Sequence, residues 1–202
     1  MAIQLEEDRK PGLPVVKRTA LGQVFNGAVV RVEQRDRMKR DDAGQMVPVL
    51  KPSGKARQEL VVTCIALPGT TAPVGLGDDE YVPAEGNLCR LILKGKAFGD
   101  WIEHKGLLGR GVQVGDVVTQ TTDRAQVYDA HGNPSGGEIT DQAALDAVPR
   151  GRSVGIYGPL TLRPAKEGSE WITKAEAAYH SLRDPIVVDH TGDDREPAEE
   201  PF

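Results

Sequence analysis

Leu88-Cys89-Arg90-Leu91-Ile92-Leu93-Lys94-Gly95-Lys96 is the stretch on which the fold turns. Its apolar, β-favouring run reads as a strand. Immediately after it, Trp101, Ile102 and Lys105 fall at near-helical spacing, which predicts a short helix over Phe98–His104 ending at Gly106. Two strand patterns precede this pair. One is Gln23-Val24-Phe25-Asn26-Gly27-Ala28-Val29-Val30-Arg31-Val32-Glu33, with Gly27 as a bulge, and the other is Glu59–Leu67. Two more follow. Gly111–Gln120 enters through a Gly115-Asp116 turn, and Ala125–Asp129 extends that strand or begins another. Ser153–Arg163 reads as the last core strand, bent at Gly158-Pro159.

The order is three strands, a short helix and two strands. It predicts a mainly β chain built on one OB-like, five-stranded, partly open Greek-key barrel. The intervening stretches 36–57 and 68–86 are rich in Gly and Pro and read as long loops, the kind that are functional or disordered. Residues 1–20, broken by Pro11 and Pro14, read as an N-terminal arm with a short edge strand at Val15–Val16. Residues 21–183 form the expected binding domain. Within it, Ile172–Leu182 reads as a helix with Thr173 as N-cap and Glu176 three residues later. Residues 184–202 read as a disordered acidic tail.

Charge divides the chain. The net is −5, yet residues 184–202 contain seven acids and one base, which leaves 24 bases and 23 acids elsewhere. Residues 31–57 concentrate eight of those bases against four acids, a local surplus suited to a polyanion. With 39% hydrophobic residues, 23 Gly and 14 Pro, a small core with many turns is expected, rather than an α/β enzyme with a deep pocket. Four scattered histidines form no catalytic motif, no Gly-Lys-Ser/Thr phosphate loop occurs, and Asp78-Asp79-Glu80 reads as an acidic loop more readily than a cation site. Gly106-Leu107-Leu108-Gly109 matches a GXXG loop without its surroundings. No catalysis and no cofactor are therefore expected. Cys64 and Cys89 sit in apolar runs as small buried residues, at no metal-ligand spacing. The polar N-terminus and the lack of a long apolar run lead to an expectation of a soluble, cytoplasmic protein without membrane contact.

Two segments resemble the bacterial and phage single-stranded DNA-binding protein family. Arg90-Leu91-Ile92-Leu93-Lys94-Gly95-Lys96-Ala97, followed by a helix and then Gly111-Val112-Gln113-Val114-Gly115-Asp116-Val117-Val118, is similar to that family's third strand and its sequel. The chain also closes on Asp193-Asp194-Arg195-Glu196-Pro197-Ala198-Glu199-Glu200-Pro201-Phe202, which resembles the family's acidic tip ending in Pro-Phe. The long loops fit a diverged phage member better than a bacterial one. The resemblance implies a homo-oligomer, a dimer or tetramer, that protects single-stranded DNA in replication, recombination and repair. It also implies recruitment of polymerase, primase, helicase or recombination proteins through Asp193, Asp194, Glu196, Glu199, Glu200, Pro201 and Phe202.

Binding single strands without sequence preference requires bases along the backbone and aromatic faces for stacking. The cationic candidates are Arg31, Arg35, Arg37, Lys39, Arg40, Lys51, Lys55 and Arg57, with Lys94 and Lys96 as a second patch. The aromatic candidates are Phe25, which either fills the core or stacks, Trp101, which either plugs the barrel end or stacks, and Tyr157, whose hydroxyl favours a wet face. The rival expectation is a phage tail or capsid β-barrel that binds no nucleic acid.

Overall fold

The computed structural model describes residues 12–76, 79–129 and 133–188, without the side chains of 183–188. The charged tip at 193–202 lies outside the described residues. The spine of the fold is a long antiparallel pair, β2 (Val24–Asp36) with β5 (Gln58–Ala66). Strand β5 also pairs with β8 (Leu88–Leu93), matching Leu60 to Leu93 and Ile65 to Leu88. On its other side β2 pairs with β9 (Val117–Thr121), which in turn pairs with β12 (Leu160–Arg163). Three short strands complete the sheet: β1 (Val15–Val16), β6 (Val74–Leu76) and β7 (Asp79–Tyr81). The result is eight strands in the order β12-β9-β2-β5-β8-β1-β6-β7.

This sheet overturns the five-stranded barrel. It is mixed, because β1 runs parallel to β8, and its outer strands, β12 and β7, do not pair with each other. The expected last strand is two strands in different sheets. Among the described residues β11 (Ser153–Tyr157) pairs only with β10 (Arg124–Tyr128), whereas β12 returns to β9. The break falls at Gly158-Pro159, where Pro159 has no N–H to give a ladder. Gly158 packs directly on the Thr121 carbonyl and the Asp123 N–H. A methyl at Gly158 would overlap that carbonyl, so Gly158→Ala is expected to cost about 2–3 kcal/mol. A urea midpoint equal to the parent's would show that the crossing is looser than its geometry.

Period-two alternation along the strands makes two cores. On one face Phe25, Val29, Val62, Cys64, Leu91 and Leu93 join Leu160 and Leu162 and are closed by α1 (Lys96–Leu107) through Ala97 and Trp101. On the other face Ala28, Val30, Ile65 and Val117 are covered by α3 (Glu170–Val188) through Ala175, Trp171 and Tyr179. The sheet curls enough for Arg18 to bridge strands that are three places apart. Its guanidinium donates to the Ile92 carbonyl in β8 at 3.0 Å and to Gln120 Oε1 in β9 at 2.8 and 3.0 Å. The bulge lies at Val30, where the register shifts between Val29 and Arg31, and not at Gly27. Gly27 is required because the Phe25 ring and the Cys64 Cβ would both crowd a methyl there.

Other elements differ from expectation for local reasons. Val15–Val16 is an interior strand between β8 and β6, not an edge. A one-turn helix, α2 (Gln142–Asp146), is capped by the Asp141 carboxylate accepting the Ala144 N–H at 3.0 Å. Helix α3 begins before Thr173, and Ser169 Oγ accepts the Trp171 N–H at its start.

Candidate nucleic-acid interface

The stretch 36–57 is a folded arm, not an open loop. Strands β3 (Met38–Arg40) and β4 (Met46–Pro48) pair across a turn closed by Asp41. The Asp41 carboxylate accepts the Ala43 and Gln45 N–H groups at 3.0 and 2.8 Å, and Gly44 supplies the positive φ. A second turn runs from Lys51 to Lys55, closed by the Lys51 N–H on the Lys55 carbonyl at 2.8 Å. Three backbone bonds knit the arm at its root. Arg37 N–H donates to Arg57, Arg57 N–H to Val49, and Val49 N–H to Arg37, each at 2.7–2.8 Å.

This frame holds Lys39 and Arg40 on β3, Lys51 and Lys55 at the second turn, and Arg37 and Arg57 at the root. All but Arg37 are exposed, and Arg37 is half-buried. Among the described residues no ion pair forms to any of these six cations. Two of the arm's three acids are used locally: Asp36 accepts from Gln58, and Asp41 closes its turn, while Asp42 is exposed beside it.

The arm continues onto the half of the β2–β5–β8 face that carries Arg35, Glu59 and Lys94, where the strand registers set the rows. Arg35 stands opposite Glu59, and Lys94 reaches the same carboxylate from β8. Glu59 is only 5% exposed and takes Arg35 Nε at 2.9 Å and Lys94 Nζ at 3.2 Å. Two rows on, Arg31 and Arg90 flank Thr63. Arg31 also pairs with Glu33 at 2.6 Å across an exposed surface, where such a pair is worth little. The structure therefore brings Arg31, Arg35 and Lys94 to the base of the arm. It adds two residues that the sequence reading missed, Arg90 and the anchoring Glu59. The signal for Arg90 was the alternation of Leu88–Leu93, which puts Leu88, Arg90 and Ile92 opposite Cys89, Leu91 and Leu93.

The aromatic candidates fare differently. Phe25 and Trp101 are 1% and 2% exposed, so both are core rings and leave the stacking set. Strand alternation and the helix's inner face bury them against the same cluster. Tyr157 is half-buried on β11, beyond the Val24 end of β2, whereas the arm leaves its Asp36 end. About 40 Å of strand separates the two, so they form no single site. Its hydroxyl donates to Glu138 Oε1 at 2.7 Å, and burial together with that bond pushes the phenol up to about 12. Lys96 opens α1 and pairs with Asp100 at 2.9 Å.

No family model, no curated protein and no solved structure matches this chain. Function therefore rests on the chemistry of the residues. Burial pushes the Cys64 thiol well above its ordinary value and Cys89 up to about 12, so neither is a nucleophile near neutrality. Among the described residues there is no group of His, Cys, Asp and Glu able to hold a metal ion, and no helix long and apolar enough to cross a membrane.

Proposed function

We propose that this chain binds single-stranded DNA without sequence specificity, along the basic arm and the adjoining β2–β5–β8 face. The observation that carries the reading is the arm itself. Six cations on a folded, solvent-facing frame have no carboxylate partner among the described residues, so phosphates can be taken up without first breaking an ion pair. The same contacts protect the strand without reading its bases. The tip Asp193–Phe202, through its resemblance to the Pro-Phe tip of single-stranded DNA-binding proteins, supports a second role as the handle for replication or recombination proteins. An apolar ring beside Glu199 and Glu200 suits a pocket with a hydrophobic floor and a basic rim.

Titration of a labelled oligo-dT at two salt concentrations tests the proposal by anisotropy. Binding is expected to weaken with salt, with a log–log slope of about −0.7 per phosphate contacted. Replacing Lys39 and Arg40 together by Ser should flatten that slope by about 1.4. Absence of binding at low salt, or equal competition by polyglutamate, would sink the reading.

A further inference from the structure

We infer that the free edge of β2 is a docking strand for an acidic, β-forming peptide of a partner protein. Strand β2 is paired with β9 only from Val24 to Ala28, and a last pair of bonds joins Val29 to Gly115 and Asp116. From Val30 to Asp36 no backbone bond forms on that side among the described residues. The open edge lies in a groove of about 860 Å³. Helix α1 contributes Trp101, Ile102 and Lys105 to one wall, and α3 contributes Tyr179 and Leu182 to the other. Val112 and Val114, in the segment before β9, close one end.

The lining selects the occupant. An unpaired strand edge offers a row of N–H and C=O groups at a spacing that another peptide backbone matches and a phosphodiester chain does not. The free stretch is long enough for an added strand of about six residues, roughly 20 Å. Alternate side chains of that strand would meet apolar surface, since Ile102 is 49% exposed and Val32 37% exposed in the groove. The charged lining residues are Lys105 and Arg31, of which Arg31 is already paired with Glu33, and among the described residues no carboxylate lines the groove, so acidic residues complement it through Lys105. A second copy's own Val30–Asp36 carries Arg31 and Arg35 against Glu33 and Asp36, so it complements Lys105 less well than an acidic strand does. The groove shares Arg31 with the proposed DNA face, but the peptide is held by the backbone edge of β2, whereas DNA is held by cationic side chains of the arm and face.

The probe is a labelled decapeptide alternating valine and glutamate, titrated against the full chain by anisotropy. Amide exchange is followed at Val32–Asp36. Saturable binding is expected, with those amides protected. A valine–lysine decapeptide should bind at least about tenfold more weakly, and Lys105→Glu should narrow that preference by a similar factor. Ile102→Asp, an exposed change that leaves the core intact, should weaken both. Methylating alternate peptide nitrogens should abolish binding. Equal binding of the two peptides, indifference to methylation, a peptide-independent dimer protecting the same amides, or their protection by oligo-dT instead of peptide would each overturn the proposal.

Discussion

Trp101→Ala is expected to lower stability by about 3–5 kcal/mol, the usual cost of emptying a buried indole site. In a domain of this size that is a fall of roughly 6–20 °C in Tm. Trp101 is 2% exposed and, with Ala97, is one of the two buried residues by which α1 holds the core. The cluster it joins includes Leu91 and Leu93 from β8 and Leu160 and Leu162 from β12, so its loss loosens both sides of the curl. Oligo-dT affinity, measured where the variant is still folded, should stay within about twofold. The opposite pattern, full stability with lost affinity, would return the ring to the DNA surface.

Asp116→Ala should cost about 1.5–3 kcal/mol by urea titration at neutral pH, because it removes the charge-assisted hydrogen bonds that a buried carboxylate makes to the half-exposed Arg110 and to the Gln113 N–H. Asp116 is 1% exposed. Its carboxylate takes Arg110 Nη1 and Nη2 at 2.9 and 2.7 Å and the Gln113 N–H at 2.8 Å. The same turn is stitched to the β2 bulge, since the Asp116 carbonyl accepts the Val29 N–H at 2.7 Å. Burial pushes the carboxyl upward, but the bonds from Arg110 and Gln113 more than offset it and leave it below the ordinary carboxylate range. The sign follows from linkage. A folded value below the unfolded one, about 3.9, contributes fully above that pH and is lost as pH falls through the folded value. The gap between the parent and Asp116→Asn should therefore shrink in acid. A gap that widens below about pH 4 would contradict the ion pair.

The strands with unbroken β-branched runs were legible, because burial on both faces leaves a continuous apolar signal in Glu59–Leu67. The helix after Lys94-Gly95 was legible from the spacing of Trp101, Ile102 and Lys105. The architecture was not. Strand order depends on pairing partners, and neither the parallel seating of Val15 beside Arg90 nor the switch of sheets at Gly158-Pro159 leaves a local pattern. The arm was hidden by its composition. Pro52, Gly44 and Gly54 read as loop, yet they are the turn chemistry of two hairpin turns, and Pro48 ends a strand between them. The basic candidates were found by charge density alone, whereas the aromatic ones needed burial to separate Phe25 and Trp101 from rings that face water.

The seating of β1 also sets an order of events during synthesis. Val15 leaves the ribosome early, but its partner Arg90 is 75 positions further on and Val74–Gly75 nearly as far. At ordinary elongation rates β1 must wait about 4–15 s before its neighbours exist. The spine hairpin can form in that interval, and β1 then enters between β8 and β6 as a late wedge. A bulky domain fused ahead of Gly12 would have to be carried to that slot, so it should delay closure of the sheet more than the same domain fused elsewhere.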